Sequence, residues 1–229
     1  MSAQDKQDLW DLMKVMFKPH PWHGVSIGEQ MPEIITCYIE IVPTDTVKYE
    51  IDKTTGYLKV DRPQKFSSSY PCLYGFVPQT HCGTRVAELA KRRTSRTDLK
   101  GDGDPLDVCV LTESPISHGD LLLRAIPIGG LAMLDRNEVD DKIIAVLEGD
   151  AIYGKIRDVS ECPPAIVQRL MHYFLTYKQM PGAKVSCEIT SVYGRDEAHQ
   201  VILKTKEDYD ERFGKLTHLM DELVALQNA

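Results

Sequence analysis

The stretch Gly101-Asp102-Gly103-Asp104-Pro105-Leu106-Asp107-Val108 sets three carboxylates within six residues. Ionised at that spacing they repel one another, so the fold must leave them in water or hold cations between them. Extended backbone would send Asp102 and Asp104 to one face about 6 to 7 Å apart, a separation that metal ions can straddle. Asp107 has the wrong parity for a straight strand, and Gly103 permits a bend where Pro105 imposes one. The segment is therefore predicted to be a loop entering a strand. A second acidic run, Asp135-Arg136-Asn137-Glu138-Val139-Asp140-Asp141-Lys142, repeats the chemistry.

A calcium loop of the EF-hand kind competes for the first cluster. Counted from Asp102, Glu113 falls at the twelfth position, but Leu106 and Asp107 stand where an oxygen ligand and a glycine are required. A solvated acidic turn is the plainer alternative, and a short D-x-D alone would favour it. The rest of the chain argues otherwise. In Thr46-Val47-Lys48-Tyr49-Glu50-Ile51, strand alternation puts Lys48 and Glu50 on one face. A turn over Asp52 to Gly56 returns the chain through Tyr57 to Arg62. Tyr70-Pro71-Cys72-Leu73-Tyr74-Gly75 supplies two phenols, and Tyr177-Lys178 adds a phenol and a cation at the end of a predicted helix. Such groups bind phosphoryl oxygens, although each taken singly is an ordinary packing or helix-end residue.

Strands are predicted at Ile35 to Val42, Val47 to Ile51, Tyr57 to Val60, Val108 to Thr112, Leu121 to Ile128 and Ile143 to Leu147. Many short strands divided by turn residues indicate a β-barrel or sandwich. A helix from Pro163-Pro164 to Tyr177 has its prolines in the tolerated first turn. Helical stripes run through Leu9, Trp10, Met13, Met16 and Phe17, and through Tyr209, Phe213, Leu216, Met220, Leu223 and Val224. The 229 residues suffice for one domain, and no linker or repeat divides them. The expected unit spans 1–229, with an N-terminal helical extension over about 1–30 and a C-terminal helix over about 206–226.

A formal charge of -7 argues against a general nucleic-acid binder. The longest apolar stretch, Leu121 to Leu134, contains Arg124, Pro127 and two glycines, so no membrane span is expected. The acidic N-terminus resembles neither a secretory signal nor a transit peptide, which points to the cytoplasm. The six cysteines are dispersed without C-x-x-C spacing and read as reduced, mostly buried thiols. His20-Pro21-Trp22-His23 reads as a structural turn.

Taken together, these segments resemble the family I soluble inorganic pyrophosphatases, whose hallmark D-[G/S/N]-D-P-x-D stands here as Asp102 to Asp107. The match also takes in Glu40 of Tyr-Ile-Glu-Ile, Lys48 and Glu50, Arg62 of Val-Asp-Arg, Tyr70 and Tyr74. It continues through Asp135, Asp140 and Lys142 to Tyr177 and Lys178, in the family's order. Leu73 replaces an Asn found in many bacterial members, and the segment between Tyr74 and Asp102 is longer than in the compact bacterial form.

The resemblance implies an α+β, mainly β fold: an OB-like five-stranded barrel with flanking α-helices and the site at the barrel mouth. It implies Mg²⁺-dependent hydrolysis of pyrophosphate to two orthophosphates by direct attack of a metal-activated water, with several ions per site. Asp102, Asp107 and Asp140 would hold the ions that share this water, Asp135 an ion accompanying substrate, and Glu40 would act through metal-held water. Asp104 would accept the proton. Lys48, Arg62, Tyr70, Tyr74, Lys142, Tyr177 and Lys178 would bind phosphoryl oxygens, with Glu50 in support. Strand parity selects Asp140 over Asp141, leaving Asp141 and Glu138 as solvated charges. Self-association as a homo-oligomer is also implied. A phosphohydrolase for larger organic substrates and a non-catalytic phosphate or cation binder are the competing functions. The basic segment His81 to Lys100 is expected to be a solvated surface insertion rather than a cationic lid.

Overall fold

In the computed structural model, which describes residues 17–64, 68–178, 182 and 187–225, five strands close into a ring. Its order is β1 (Ile35–Ile41), β4 (Leu73–Val77), β6 (Leu106–Leu111), β9 (Lys142–Leu147) and β7 (Leu121–Asp135), with β7 returning to pair β1. Only β6 and β9 are parallel within the ring. Closure removes the unpaired edges that an open sheet would expose. The hairpin of β2 (Val47–Ile51) and β3 (Leu58–Pro63) forms a separate two-stranded sheet, while β5 (Lys100–Gly101), β8 (Glu138–Val139) and β10 (Cys187–Gly194) extend the sheet around β7. Among the described residues three α-helices flank it: α1 (Thr84–Thr94), α2 (Pro164–Thr176) and α3 (Arg195–Ala225). This is the OB-like barrel expected.

Alternation along the strands divides the core. Ile39, Leu73, Val108, Ala125 and Ile143, one from each ring strand, meet in one cluster. The opposite parity sends Tyr74, Cys109 and Ile144 against Leu170, Tyr173 and Phe174 of α2. All six cysteines are free and buried, as predicted. The His20 to His23 stretch is the expected turn, pinned by Trp22 Nε1 donating to the Thr80 carbonyl at 2.7 Å and by His23 Nδ1 hydrogen-bonded to the Tyr209 hydroxyl at 2.9 Å.

The six predicted strands and the helix ending at Tyr177 are present, with four strands added, β4, β10 and the two-residue β5 and β8, and with β7 prolonged. β4 and β10 lack the alternation that marks half-exposed strands: β4 is buried at every position. β7 runs seven residues past Ile128, because Gly129 and Gly130 carry the strand under Tyr193 instead of ending it. A Cβ at Gly130 would lie 2.4 Å from the Tyr193 ring, and one at Gly129 would lie 2.4 Å from its carbonyl oxygen. The stripe residues Leu9, Trp10, Met13 and Met16, and the side chains of Leu216, Met220, Leu223 and Val224, lie outside the described residues.

The segment His81 to Lys100 is a correction. It is not a solvated insertion: it forms α1, which buries Val86, Ala87 and Ala90 against the barrel and α3. Gly83 offers no capping side chain at the helix start. Asp208 of α3 supplies one instead, its carboxylate accepting from the backbone N–H groups of Gly83 at 3.2 Å, Arg85 at 3.0 Å and Val86 at 3.3 Å. A helix N-terminus leaves such donors unpaired, so this contact joins α1 to α3 as well as ending the helix.

Candidate active site

A pocket of about 220 Å³ opens where β6 and β9 begin and β7 ends, beneath the β2–β3 hairpin. It lies on the α2 side of that barrel end rather than down the axis, which Leu106, Val108 and Ile143 fill. Asp107 and Lys142 share its wall because their strands are parallel and in register, Asp107 opposite Lys142. The Lys142 ammonium donates to both Asp107 and Asp140. The Tyr74 hydroxyl donates to the same Asp107 oxygen as Lys142, 2.6 Å from Oδ2.

The acidic loop approaches β6 through a tight turn. Gly103 adopts φ +83° and the Asp104 N–H donates to Asp102 Oδ1 at 2.9 Å. Asp102 and Asp104 are therefore not on one extended face; the turn gathers them at the pocket by another route. Asp104 ion-pairs with Lys53 at the rim. Asp135, the last residue of β7, accepts from Lys178 at 2.8 Å. From the hairpin, Lys48 binds Glu50 at 2.9 Å and Asp61 at 3.0 Å, which fulfils the expectation that Lys48 and Glu50 share a face. Glu40 accepts from the Ile51 N–H at 2.7 Å and so fixes the hairpin to β1.

The aromatic wall joins Tyr70 and Tyr74 to Tyr177 at the C-terminal end of α2. Tyr173 and Tyr177, four residues apart on that helix, stack at 5.0 Å, and Tyr70 packs 4.7 Å from Tyr173 and 5.1 Å from Tyr74. Burial raises the pKa of Tyr70, Tyr74 and Tyr177, so all three phenols remain donors near neutrality. Buried carboxyls feel the same penalty. Desolvation, reinforced by Asp107 and Glu50, pushes Glu40 up to about 8, and desolvation reinforced by Asp140 and Asp104 pushes Asp102 up to about 8. These groups are costly as bare anions and become favourable once cations neutralise them.

Of the predicted residues, Glu40, Lys48, Glu50, Tyr70, Tyr74, Asp102, Asp104, Asp107, Asp135, Asp140, Lys142, Tyr177 and Lys178 all line this pocket. Arg62 does not. It lies opposite Lys48 in the hairpin register, with its guanidinium turned to Asp61. Two charged lining residues were missed, Lys53 and Glu138, along with the apolar Ile51, Phe76 and Pro105. Lys53 sits in the hairpin turn, where no strand parity predicts direction. Glu138 was expected in solvent but faces both the pocket and Lys100, 2.9 Å away. Asp141 is the larger correction: its side chain is only 1% exposed and ion-pairs with Arg93 on the side of β9 away from the pocket.

The donor set fits hard divalent cations, being carboxylate oxygen throughout with no thiolate or imidazole in the lining. Among the described residues no three carboxylates converge as a single closed shell. Ammonium groups of Lys53, Lys142 and Lys178 stand against Asp104, Asp107, Asp135 and Asp140.

Comparison with known proteins gives the family. The family model for inorganic pyrophosphatase matches residues 37–210. The chain is 53% identical to an inorganic pyrophosphatase of Chlamydia trachomatis serovar L2 over 195 residues, covering 83% of this chain and 93% of that one. It is 40% identical over 167 residues to a soluble inorganic pyrophosphatase of Oryza sativa subsp. indica, 73% of this chain and 69% of that one. The crystal structure of inorganic pyrophosphatase from Thermus thermophilus superposes with a TM-score of 0.69 at 28% identity, covering 83% of this chain and 99% of that one. The chain belongs to the family I soluble inorganic pyrophosphatases.

Proposed function

We propose that the pocket carries out Mg²⁺-dependent hydrolysis of pyrophosphate by direct attack of water, with the residues in the following roles. The chain is an inorganic diphosphatase with a divalent metal cofactor; the choice of Mg²⁺ and the assignment of residues are our reading. Its main support is the interleaving of Lys142 between Asp107 and Asp140, a cation suited to phosphoryl oxygen among carboxylates suited to metal. Bound divalent ions supply charge neutralisation and make water a better nucleophile.

Asp102, Asp107 and Asp140 would hold ions that activate the attacking water, and Asp135 would hold those accompanying substrate. Glu40 acts at longer range, since its carboxylate is engaged with the Ile51 N–H. Asp104 accepts the proton: its side chain is 47% exposed, so water reaches it, and its partner Lys53 is itself a mobile-length cation at the rim. Lys48, Lys142 and Lys178 grip phosphoryl oxygens with the phenols of Tyr70, Tyr74 and Tyr177. Arg62 joins them by turning from Asp61, and Glu50 orients Lys48. No group here requires a covalent phosphoenzyme, and in-line displacement by water suffices.

Among the described residues no helix is long and apolar enough to cross a membrane. We further propose one domain over residues 1–229, residence in the cytoplasm and assembly as a homo-oligomer; light scattering that found only a 25.9 kDa species would contradict the last. The deciding assay is phosphate release from pyrophosphate, ATP and a sugar phosphate, each with and without Mg²⁺. Faster turnover of either organic substrate would replace this reading with a broader phosphohydrolase.

A further inference from the structure

Asp140, Asp141 and Lys142 are consecutive at the entry to β9, and their side chains alternate. Asp140 and Lys142 line the pocket. Asp141 points the other way, where its carboxylate accepts from Arg93 Nη2 at 3.0 Å on both oxygens, from the Tyr193 hydroxyl at 3.2 Å and from the Met133 N–H at 3.3 Å. The Met133 carbonyl in turn accepts from the Asp140 N–H at 3.0 Å. One residue of β7 thus clasps the β9 entry twice, once through the backbone of Asp140 and once through the side chain of Asp141.

Arg93 holds that clasp from outside the barrel. It lies in the last turn of α1, with its side chain 14% exposed, and its Nη1 donates to Glu197 of α3 at 2.9 Å. Its guanidinium carbon lies 5.3 Å from the centre of the Tyr193 ring. Two elements outside the ring, α1 and β10, therefore converge on the carboxylate between two pocket residues, and α3 reaches it through Arg93. No residue of α1 lines the pocket.

We propose that Arg93, acting through Asp141, is a positioning residue for the reaction: it fixes the β9 entry so that Asp140 presents its carboxylate to metal and Lys142 its ammonium to substrate. The inference rests on the metal and phosphate roles assigned above to those two residues. Without Arg93 the Asp141 carboxylate is a buried charge lacking its main partner, and such charges draw in water or displace backbone. Displacement here moves Asp140 and Lys142 directly. Partners that orient metal ligands typically account for about 10- to 100-fold in metal affinity or activity, and misplacement by about 1 Å can cost 10²-fold in rate.

The test uses the full chain with Arg93→Met, Arg93→Lys and the double variant Arg93→Met/Asp141→Leu. Three quantities are read: thermal midpoint, Mn²⁺ and Mg²⁺ affinity by calorimetry without substrate, and kcat and KM for pyrophosphate at saturating Mg²⁺. Arg93→Met is expected to weaken metal affinity and lower kcat by about 10- to 100-fold each, with KM changing less than kcat. Arg93→Lys keeps the charge but not the two-oxygen grip, and is expected to recover the midpoint more fully than kcat. The double variant removes both charges, so its midpoint returns toward that of the unsubstituted chain while metal affinity and kcat remain depressed. This variant also decides the matter if Arg93→Met fails to fold. An unsubstituted chain without metal-dependent pyrophosphate hydrolysis would overturn the underlying functional reading. With that activity intact, a double variant showing native metal affinity and native kcat would overturn the positioning role.

Discussion

The two sides of the β9 entry carry buried charge in different states of completion. Beneath the strand, Asp141 meets a guanidinium, a phenol and a backbone N–H, and Arg93 is shared with Glu197. Above it, eight carboxylates line the pocket against four ammonium groups. Two of those carboxyls, Glu40 and Asp102, are pushed up to about 8 chiefly by loss of water. A completed cluster of this kind locks elements together and asks for nothing further. A surplus of carboxylate is costly in the free protein and is relieved by cations, which is what a metal site needs. The comparison therefore separates architecture from function within three consecutive residues.

The strongest way to break it is at Asp104. Asp104→Asn is expected to lower turnover by about 10² to 10⁴, the usual range for a positioned base, while leaving metal affinity largely intact. Asp107→Asn removes a ligand and should weaken metal binding instead. Near-native turnover of Asp104→Asn at saturating Mg²⁺ would remove this residue from its role.

Replacing Mg²⁺ by Ca²⁺ tests whether the surplus charge merely binds cations or arranges them. Calcium prefers bonds of about 2.3 to 2.6 Å and looser geometry, so binding with little or no hydrolysis is expected. Equal rates in the two metals would show that the arrangement is tolerant. Stability reads the same region without turnover. Mg²⁺ at a hundred times its Kd should stabilise the chain by about 2.7 kcal/mol, the mass-action value for one site that exists only in the folded state. A thermal midpoint indifferent to Mg²⁺ or to chelator would contradict a metal-seeking surplus.

On the completed side, Asp208 does for α1 what Arg93 does for Asp141. Asp208→Ala leaves the first N–H groups of α1 without their acceptor and should cost about 0.5 to 2 kcal/mol in unfolding experiments. Asp208→Asn retains an acceptor and should cost less. Equal losses in both variants would mean that the charge pairing with Arg85, not the cap, is what matters.

These two sides were unequally legible in the sequence. The pocket residues were gathered by resemblance to a family, and several of their motifs also reach the pocket by short-range rules: Lys48 and Glu50 by strand parity, Asp102 to Asp107 by a bend, Tyr177 by its place at a helix end. Parity also separated Asp140 from Asp141. It gave direction but not environment, since a residue facing away from the pocket reaches solvent or protein depending on what packs there. What packs there is α1, and its partner α3 begins about a hundred residues later in the chain. Nothing local marks Arg93 as different from Lys91 or Arg92. The extent of β7 was hidden for the same reason, because Gly129 and Gly130 read as breaks until Tyr193 lies across them.

That distinction among three neighbouring cations gives the smallest predicted effect. Lys91 is half-buried and pairs with Glu88 three residues earlier, an interaction typically worth about 0.2 to 0.5 kcal/mol on a helix surface. Arg92 is exposed. Neither lines the pocket. Lys91→Ser and Arg92→Ser, singly or together, should therefore leave kcat at saturating pyrophosphate within a few-fold and unfolding within about 1 kcal/mol. Any effect should appear at low substrate and fade with added salt, as expected of long-range attraction for an anion. If instead this pair lowers saturated turnover about a hundredfold with the fold intact, α1 acts on the site through its exposed face as well as through Arg93, and the division between completed and surplus charge at β9 is too simple.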